Sequence, residues 1–551
     1  MFVTRTVSKH KVETGVKKYE KWWIMRSYRS KDQKHPKHEY LLDITNLPDV
    51  QRENLRKVLK NPKSAIIMED ECKNMFEEGR DYGQIAFFLR SMKKLSITDI
   101  LSKNLSKRNF PLIAAVLLNR LIKPSSKMTA IQWIKTTAFT YFSLLESKYY
   151  HHNYVYEAMD EVYKNMENIM DDFYHIRTSK PKFFLYDITS VYFDGNKVKI
   201  ATNGYSRDMR PDRPQVLLGL VLNELGLPVH FEVMKGNLKD SSTVKQTINK
   251  IRKRFDIKKG VFIGDRGMID ANNIEAITKE KFGYILALKH REAKDLLEKK
   301  EIQTELFEKT MPITIFVNDK KKKYVLCGSE YRKKSDLESF HKIIQKGREA
   351  LEKVQKMKEK NKIKKYEIVI RRAQKHLTKS GAEKYFDFKY ENGKLEIIEK
   401  KDEVRKAENL CGFYILETSE TEMDDKDVEA HYKQLQQVER VFRDLKKYLD
   451  IRPVFHWKDK RVKTHMFLCL LVQTVFGYTR KCLKQNGWIK GKDTLQKFII
   501  ELSSIKIGKF VIIGKEIFQV QNNNSIKELL KKAFDIVFEF VDDKTMCGLN
   551  R

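Results

Sequence analysis

Between Phe183 and Lys289 the hydrophobic period changes in an order that leaves few folds open. FFLYDITSVYF, Phe183 to Phe193, is rich in aromatic and β-branched residues and reads as a strand. Two more strands, Val216 to Leu222 and Pro228 to Met234, flank Asn223 to Gly226, which signals a hairpin. A helix over Ser242 to Phe255 follows, then a short apolar strand Gly260 to Gly264, a helix Ala271 to Glu280 and a strand Tyr284 to Lys289. Three antiparallel strands followed by helix, parallel strand, helix and strand predict an open α/β sheet. Such sheets bind ligands at the carboxyl ends of their strands, and Asp265 stands at one.

The strand order matches a ribonuclease-H-like core, in which the first and fourth strands are neighbours. Asp187 in the first strand would then share an edge with Asp265. A carboxylate inside so apolar a run is costly to bury uncompensated, so Asp187 reads as a ligand. The plain alternative for Asp265 is a turn former beside Gly264 and Gly267. Asp194 competes for the first position, but Gly195 beside it favours a turn. Asp208 and Asp212 lie in the loop GYSRDMRPDRPQ, where pairing with Arg207, Arg210 or Arg213 is the bland account and contact with a phosphate backbone the functional one.

A third carboxylate comes from HYKQLQQVERVFRDLKKYL, His431 to Leu449, read as one helix. Tyr432, Glu439 and Lys446 are seven apart and drift by only ~20° per step, so they share a face; Arg443 joins it. Leu435, Val438, Phe442 and Leu445 form the stripe that anchors the helix in a core. Taken alone, this is a surface helix laced with pairs such as Glu439 to Arg443. Set over the Asp187 and Asp265 edge, Glu439 completes an acidic cluster able to hold two Mg²⁺ at about 3.5 to 4 Å separation. One ion would activate water or a 3′-hydroxyl and the other would stabilise the leaving oxygen. Mg²⁺ takes carboxylate and water oxygens and needs no histidine, and His456 and His465 read as structural.

Composition names the partner. Of 551 residues, 109 are Lys or Arg against 74 Asp or Glu, a net charge of +35, far beyond what solubility requires. A polyanion is expected, and a hydrophobic fraction of 41% argues against wholesale disorder. The most apolar run, Met466 to Val475, is too short to span a membrane, and Met1 to His10 has no leader character. Six cysteines without a CxxC pair exclude common zinc spacings and point to a reduced compartment.

The remaining chain supplies the frame. Residues 1–60 carry short β-like runs (Met1 to Val7, Trp22 to Tyr28, Glu39 to Asp43) and a helix Val50 to Leu59, a small module able to contact DNA; Trp22 and Trp23 are read as core before stacking platforms. Residues 61–178 are helical, with Ser125 or Ser126 capping a helix through Trp133, and suit DNA binding by charge alone. The catalytic core is expected over 179–290 and 406–484. Between them, 291–405 reads as an inserted α+β subdomain, with β-like pieces at Pro312 to Val317, Tyr366 to Arg371 and Tyr385 to Tyr390, a helix from Ser335 to about Lys360, and Lys320 to Lys323 as solvated surface. Tyr385, Phe386 and Phe388 are read as strand core before a stacking wedge. Strand Cys411 to Thr418 and an apolar helix from about Lys458 to Cys482 complete the core. The tail, 485–551, holds a helix near Asp493 to Leu502, a β-like stretch Phe510 to Val520 and a helix Ser525 to Phe540, and is a candidate for oligomerisation.

YDITSVYFDG, GDRGM and Y-x2-L-x3-E-x6-K resemble the three motifs of DDE transposases of bacterial insertion sequences, in the group with a Tyr-x2-Arg-x3-Glu-x6-Lys box and a β-rich insertion before the glutamate. The likeness covers about 180–290 and 406–480. It implies a ribonuclease-H-like domain with Asp187, Asp265 and Glu439 as catalytic and metal-binding residues, two Mg²⁺ for which Mn²⁺ can substitute, and binding to terminal inverted repeats and target DNA. It further implies cut-and-paste strand transfer by a homodimer or higher synaptic complex, in a bacterial cytoplasm and associated with the nucleoid. Tyr432 and Lys446 match the box, but its arginine position is Leu435, so Arg440 or Arg443 would stand in; Arg207, Arg210, Arg213 and Arg266 complete the expected DNA contacts. The contrasting readings are a non-catalytic DNA-binding descendant and a structure-selective nuclease.

Overall fold

The structure, a computed structural model, describes residues 1–520 except 13–14, 29–35, 61–75, 144, 178–180, 196, 225, 240, 256–259, 266–270, 289–291, 293–311, 318–321, 361–364, 392–393, 490–493 and 513–514. The chain forms two compact units: Met1–Ser102 with Ser106–Val155 and Gly477–Arg551, and Lys103–Leu105 with Tyr156–Phe476.

The first unit opens with an antiparallel meander of β1 (Phe2–Val12), β2 (Gly15–Tyr28) and β3 (Lys37–Asp43). Val3, Ile24, Leu42 and Ile44 are its core, and Leu55 and Leu59 of helix Asp49–Lys60 pack on them. Trp22 belongs to that packing, with Arg52 5.1 Å from its ring, and Trp23 meets Tyr40 edge-on. Trp22 thus packs on the core, in line with the core reading of the pair, while Trp23 is half-buried outside that cluster. In helix Asn109–Ile122 the apolar residues cover every side, and Asn109 through Leu121 are buried. Ser126 caps helix Lys127–Ile134, its Oγ accepting from Thr129 N at 3.1 Å. The expected tail strand is a hairpin, Lys506–Ile512 with Lys515–Val520, paired to β4 (Phe76–Asp81). The expected helix Ser525 to Phe540 lies outside the described residues.

The second unit is built on an eight-stranded sheet. In chain order its strands are β5 (Phe183–Tyr192), β6 (Gln215–Asn223), β7 (Pro228–Lys235), β8 (Gly260–Gly264), β9 (Phe282–Ala287), β10 (Ile313–Val317), β11 (Lys323–Gly328) and, after the hairpin β12 (Phe386–Glu391) and β13 (Lys394–Glu399), β14 (Phe413–Thr418). Across the sheet they run β10-β11-β14-β9-β8-β5-β6-β7. β5, β6 and β7 are antiparallel, and β5, β8 and β9 are parallel. The strand directions read from 183–289 are those found. Phe184, Tyr186, Leu217, Phe262 and Tyr284 centre the core on one face, covered by helices Ser241–Phe255 and Ala271–Lys279. Gly219 has no room for a side chain, since a Cβ there would come 2.9 Å from Tyr186 Oη.

Three expectations fail locally. Tyr366 to Arg371, read as β, begins the helix Tyr366–Ser380, whose buried stripe Val369, Ala373 and Leu377 repeats every four residues. β11 was not foreseen, because its entry lies in the lysine run; Lys323 is buried, its Nζ 2.7 Å from Asp425 Oδ1 and 2.6 Å from Met423 O. β10 and β11 join the main sheet, whereas helices Glu330–Glu359 and Tyr366–Ser380 enclose a separate core with β12 and β13. Phe386, at its centre, is 2% exposed, and Tyr385 and Phe388 pack against it. Finally, His431 to Leu449 is not one helix. It divides into Asp425–Lys433 and Gln436–Lys447, with Leu435 buried at the turn. Among the described residues no helix is long and apolar enough to cross a membrane.

Candidate active site

The register of β5 and β8 sets Tyr186 opposite Gly264, so Asp187 and Asp265 are the next residues of adjacent chains, at the carboxyl end of β8. Neighbouring strands lie about 4.8 Å apart, which brings the two carboxylates to one edge. Tyr186 turns inward and donates its hydroxyl to Thr243 Oγ1 at 2.9 Å; strand alternation gives Asp187 the opposite face. Asp187 Oδ1 accepts from the Ile188 amide at 2.7 Å. Burial pushes the Asp187 carboxyl from 3.8 up to about 7; the Ile188 bond opposes this, the charges of Asp265 and Glu439 add to it, and Arg207 pulls back. Two further acids therefore act on Asp187 through space.

Asp265 has an open surface, yet the atoms packed round its carboxyl raise its pKa. The Tyr432 hydroxyl, 3.4 Å from Oδ1, and the Arg332 charge draw it the other way. Tyr432 reaches it from the end of helix Asp425–Lys433, which Asp424 caps by accepting from Lys426 N at 2.8 Å. Glu439 sits on the next helix, Gln436–Lys447, which lies against β5 and β6. Val438, Val441, Phe442 and Leu445 are its buried side, while Glu439, Arg440 and Arg443 are exposed. The amphipathic split read from sequence survives the break; the shared face of Tyr432 and Glu439 becomes a junction of two helices.

The basic residues part ways. Lys446 Nζ lies 2.8 Å from Asp208 Oδ1, and Arg452 Nε lies 2.9 Å from Oδ2, out of line for a hydrogen bond. The Asp208 side chain is 2% exposed, so this is an internal anchor; burial lowers the Lys446 pKa while Asp208 raises it. Asp208 therefore pairs outside its own loop. Asp212 takes Arg210 through two bonds of 2.8 Å, and Arg213 pairs with Asp194. The Arg207 amide donates to Ser190 Oγ at 3.0 Å, holding its charge near Asp187. Arg266 lies outside the described residues.

Arg332 was missed. It stands in the first turn of helix Glu330–Glu359, its amide held by the capping Ser329 hydroxyl at 3.3 Å, with its guanidinium 5.2 Å from the Tyr414 ring. It acts on both Asp265 and Tyr432. Ser329 marks the helix start in the sequence, but nothing local marks Arg332 as the cation that turns toward an acid.

Asp187, Asp265 and Glu439 offer only oxygen donors, and a divalent cation would relieve their mutual repulsion. Among the described residues no three His, Cys, Asp or Glu side chains gather closely enough to enclose one ion. An open set suits Mg²⁺, which keeps several waters and is held by one or two carboxylates together with substrate phosphates.

A mixed α/β sheet with acids at one strand edge and cations round it has the groups that metal-assisted chemistry on a phosphate ester requires. Residues 178–475 match the family model for the transposase DDE domain, and the chain belongs to that family, that of DNA transposases. No curated protein matches the sequence. Among solved structures, a piggyBac transposase synaptic complex with hairpin DNA is similar at 8% identity and a TM-score of 0.33, over 76% of this chain and 70% of that one.

Proposed function

We propose that Asp187, Asp265 and Glu439 are the acids of a ribonuclease-H-like core that cuts the terminal inverted repeats of an insertion sequence and joins the freed ends to target DNA. The observation that carries this is the register that sets Asp187, midway along β5, beside Asp265, just past the end of β8, with the Glu439 charge acting on Asp187. Water attacks the phosphorus at the element end and the bond to the 3′-oxygen breaks, leaving a 3′-hydroxyl and a 5′-phosphate. That hydroxyl attacks a target phosphorus and displaces the target's own 3′-oxygen. Two Mg²⁺, or Mn²⁺, held by the three acids would supply Lewis-acid stabilisation of the attacking and leaving oxygens. To help hold such ions Asp187 would release its proton to solvent. Tyr432 and Arg332 orient Asp265, and Arg440 and Arg443 face the DNA backbone from the Glu439 helix. The segment 291–405 acts as an inserted subdomain that supports the edge. A dimer or larger synaptic complex holds two ends, in a bacterial cytoplasm at the nucleoid.

The test is a labelled element end incubated with protein, Mg²⁺ and a target plasmid. Asp187→Ala, Asp265→Ala and Glu439→Ala should each abolish cleavage and keep end binding. Normal cutting by any one of them rejects the triad, and cutting without joined product makes the protein a nuclease alone.

A further inference from the structure

β1 and β2 pair without a break from Phe2 opposite Met25 to Val12 opposite Gly15. Among the described residues, the ribbon's packed side chains are at its base, at Val3 and Ile24. Farther out, residues 5–9 and 18–21 are all exposed, on both faces, with Val7 and Tyr19 at 47% and 48%. A two-stranded ribbon without a covering layer is marginal by itself. This one is further burdened, because Lys9 stands directly opposite Lys18, and like charges at that position repel. The acid of this stretch, Glu20, is taken by Arg5. Among the described residues no carboxylate pairs with Lys9 or Lys18. The sequence adds Lys11 and Lys17 toward the tip. A facing lysine pair persists where the opposing charge comes from outside the chain.

The dimensions fit a duplex. From Thr4 to Val12 the ribbon extends roughly 30 Å at ~3.3 Å per residue, close to one helical turn of about 34 Å. The major groove, about 12 Å wide, admits a two-stranded ribbon. We propose that the distal half of the β1–β2 ribbon lies in a groove of duplex DNA, with Lys9 and Lys18 on the phosphates that flank it. The inference rests on the reading of this chain as a transposase and adds to it a grip separate from the acidic site.

The test uses the full chain and a labelled duplex carrying the element end, titrated at several salt concentrations. Lys9→Ala with Lys18→Ala should weaken binding about tenfold or more and flatten the slope of log affinity against log salt by about two. The thermal midpoint of the free protein should stay level or rise, since a repulsive pair is gone. Unchanged affinity overturns the proposal, and weaker binding at an unchanged slope overturns the phosphate grip. If the midpoint falls instead, Lys9→Arg with Lys18→Arg decides: wild-type binding upholds the inference and loss of binding overturns it. Asp187→Ala, assayed in parallel, keeps the two readings apart, because it tests cutting without touching the ribbon.

Discussion

At the scale of single residues, Asp187 carries a signed pH dependence. Folded, its carboxyl holds a proton up to about pH 7, against 3.8 when free. The stability this gives is complete below the free value and is lost as the pH rises through the folded one. Asp187→Asn cannot ionise, so its metal-free form should melt higher than wild type at pH 8 and close to it at pH 4. It should also lack the rise in midpoint expected of wild type with Mn²⁺. Thermal unfolding at both pH values, with and without Mn²⁺, checks this, and full Mn²⁺ stabilisation in the variant removes Asp187 from the ion site. Arg332 is the second residue to test. Removing the cation that faces Asp265 and Tyr432 should slow single-turnover cleavage by about tenfold or more, with Arg332→Lys recovering part of it; an unchanged rate would leave Arg332 a surface stack on Tyr414. Asp187 was legible as a candidate because a carboxylate in an apolar strand demands an explanation. Arg332 was not, since nothing local marks which of many cations folds back to an acid.

At the scale of elements, the Gln436–Lys447 helix is fastened at its far end by Asp208. Removing Lys446 would leave the buried Asp208 with Arg452 alone, which is out of line for a hydrogen bond. Lys446→Ala should therefore lower stability by about 1 to 3 kcal/mol, read as a drop in the denaturant midpoint without DNA. An unchanged midpoint would return Lys446 to the surface role expected from its place in the Tyr-Glu-Lys box. The sequence made both sides of this helix legible, because a period of 3.6 with Val438, Phe442 and Leu445 inward fixes Glu439, Arg440 and Arg443 outward. It hid the break before Gln436, which conflicts with no propensity and serves to bury Leu435. Pairing between Asp208 and Lys446, 238 positions apart, has no local trace.

At the scale of the whole molecule, a charge of +35 predicts steep salt dependence. If six to ten phosphates are neutralised, end binding should weaken by about 10³ to 10⁵ between 50 and 200 mM salt. A shallow titration would mean that most of the cations, like Arg210 and Lys446, are spent on internal acids. The strand order of the sheet was legible from periodicity across 183–289; its extension was not, because β10 reads as a β-like piece with nothing local to assign it to this sheet, and β11 starts inside the lysine run. That extension reaches the acids through a short relay. Lys323 on β11 holds Asp425, Asp425 takes Thr314 on β10 at 2.6 Å, and the helix that Asp425 begins carries Tyr432, in its last turn, against Asp265. Lysine tracts are ordinarily treated as freely drifting filler, and comparisons often mask them. Here one letter of such a tract is tied to chemistry more than fifty positions away in either direction, so drift there should be as constrained as drift in the core.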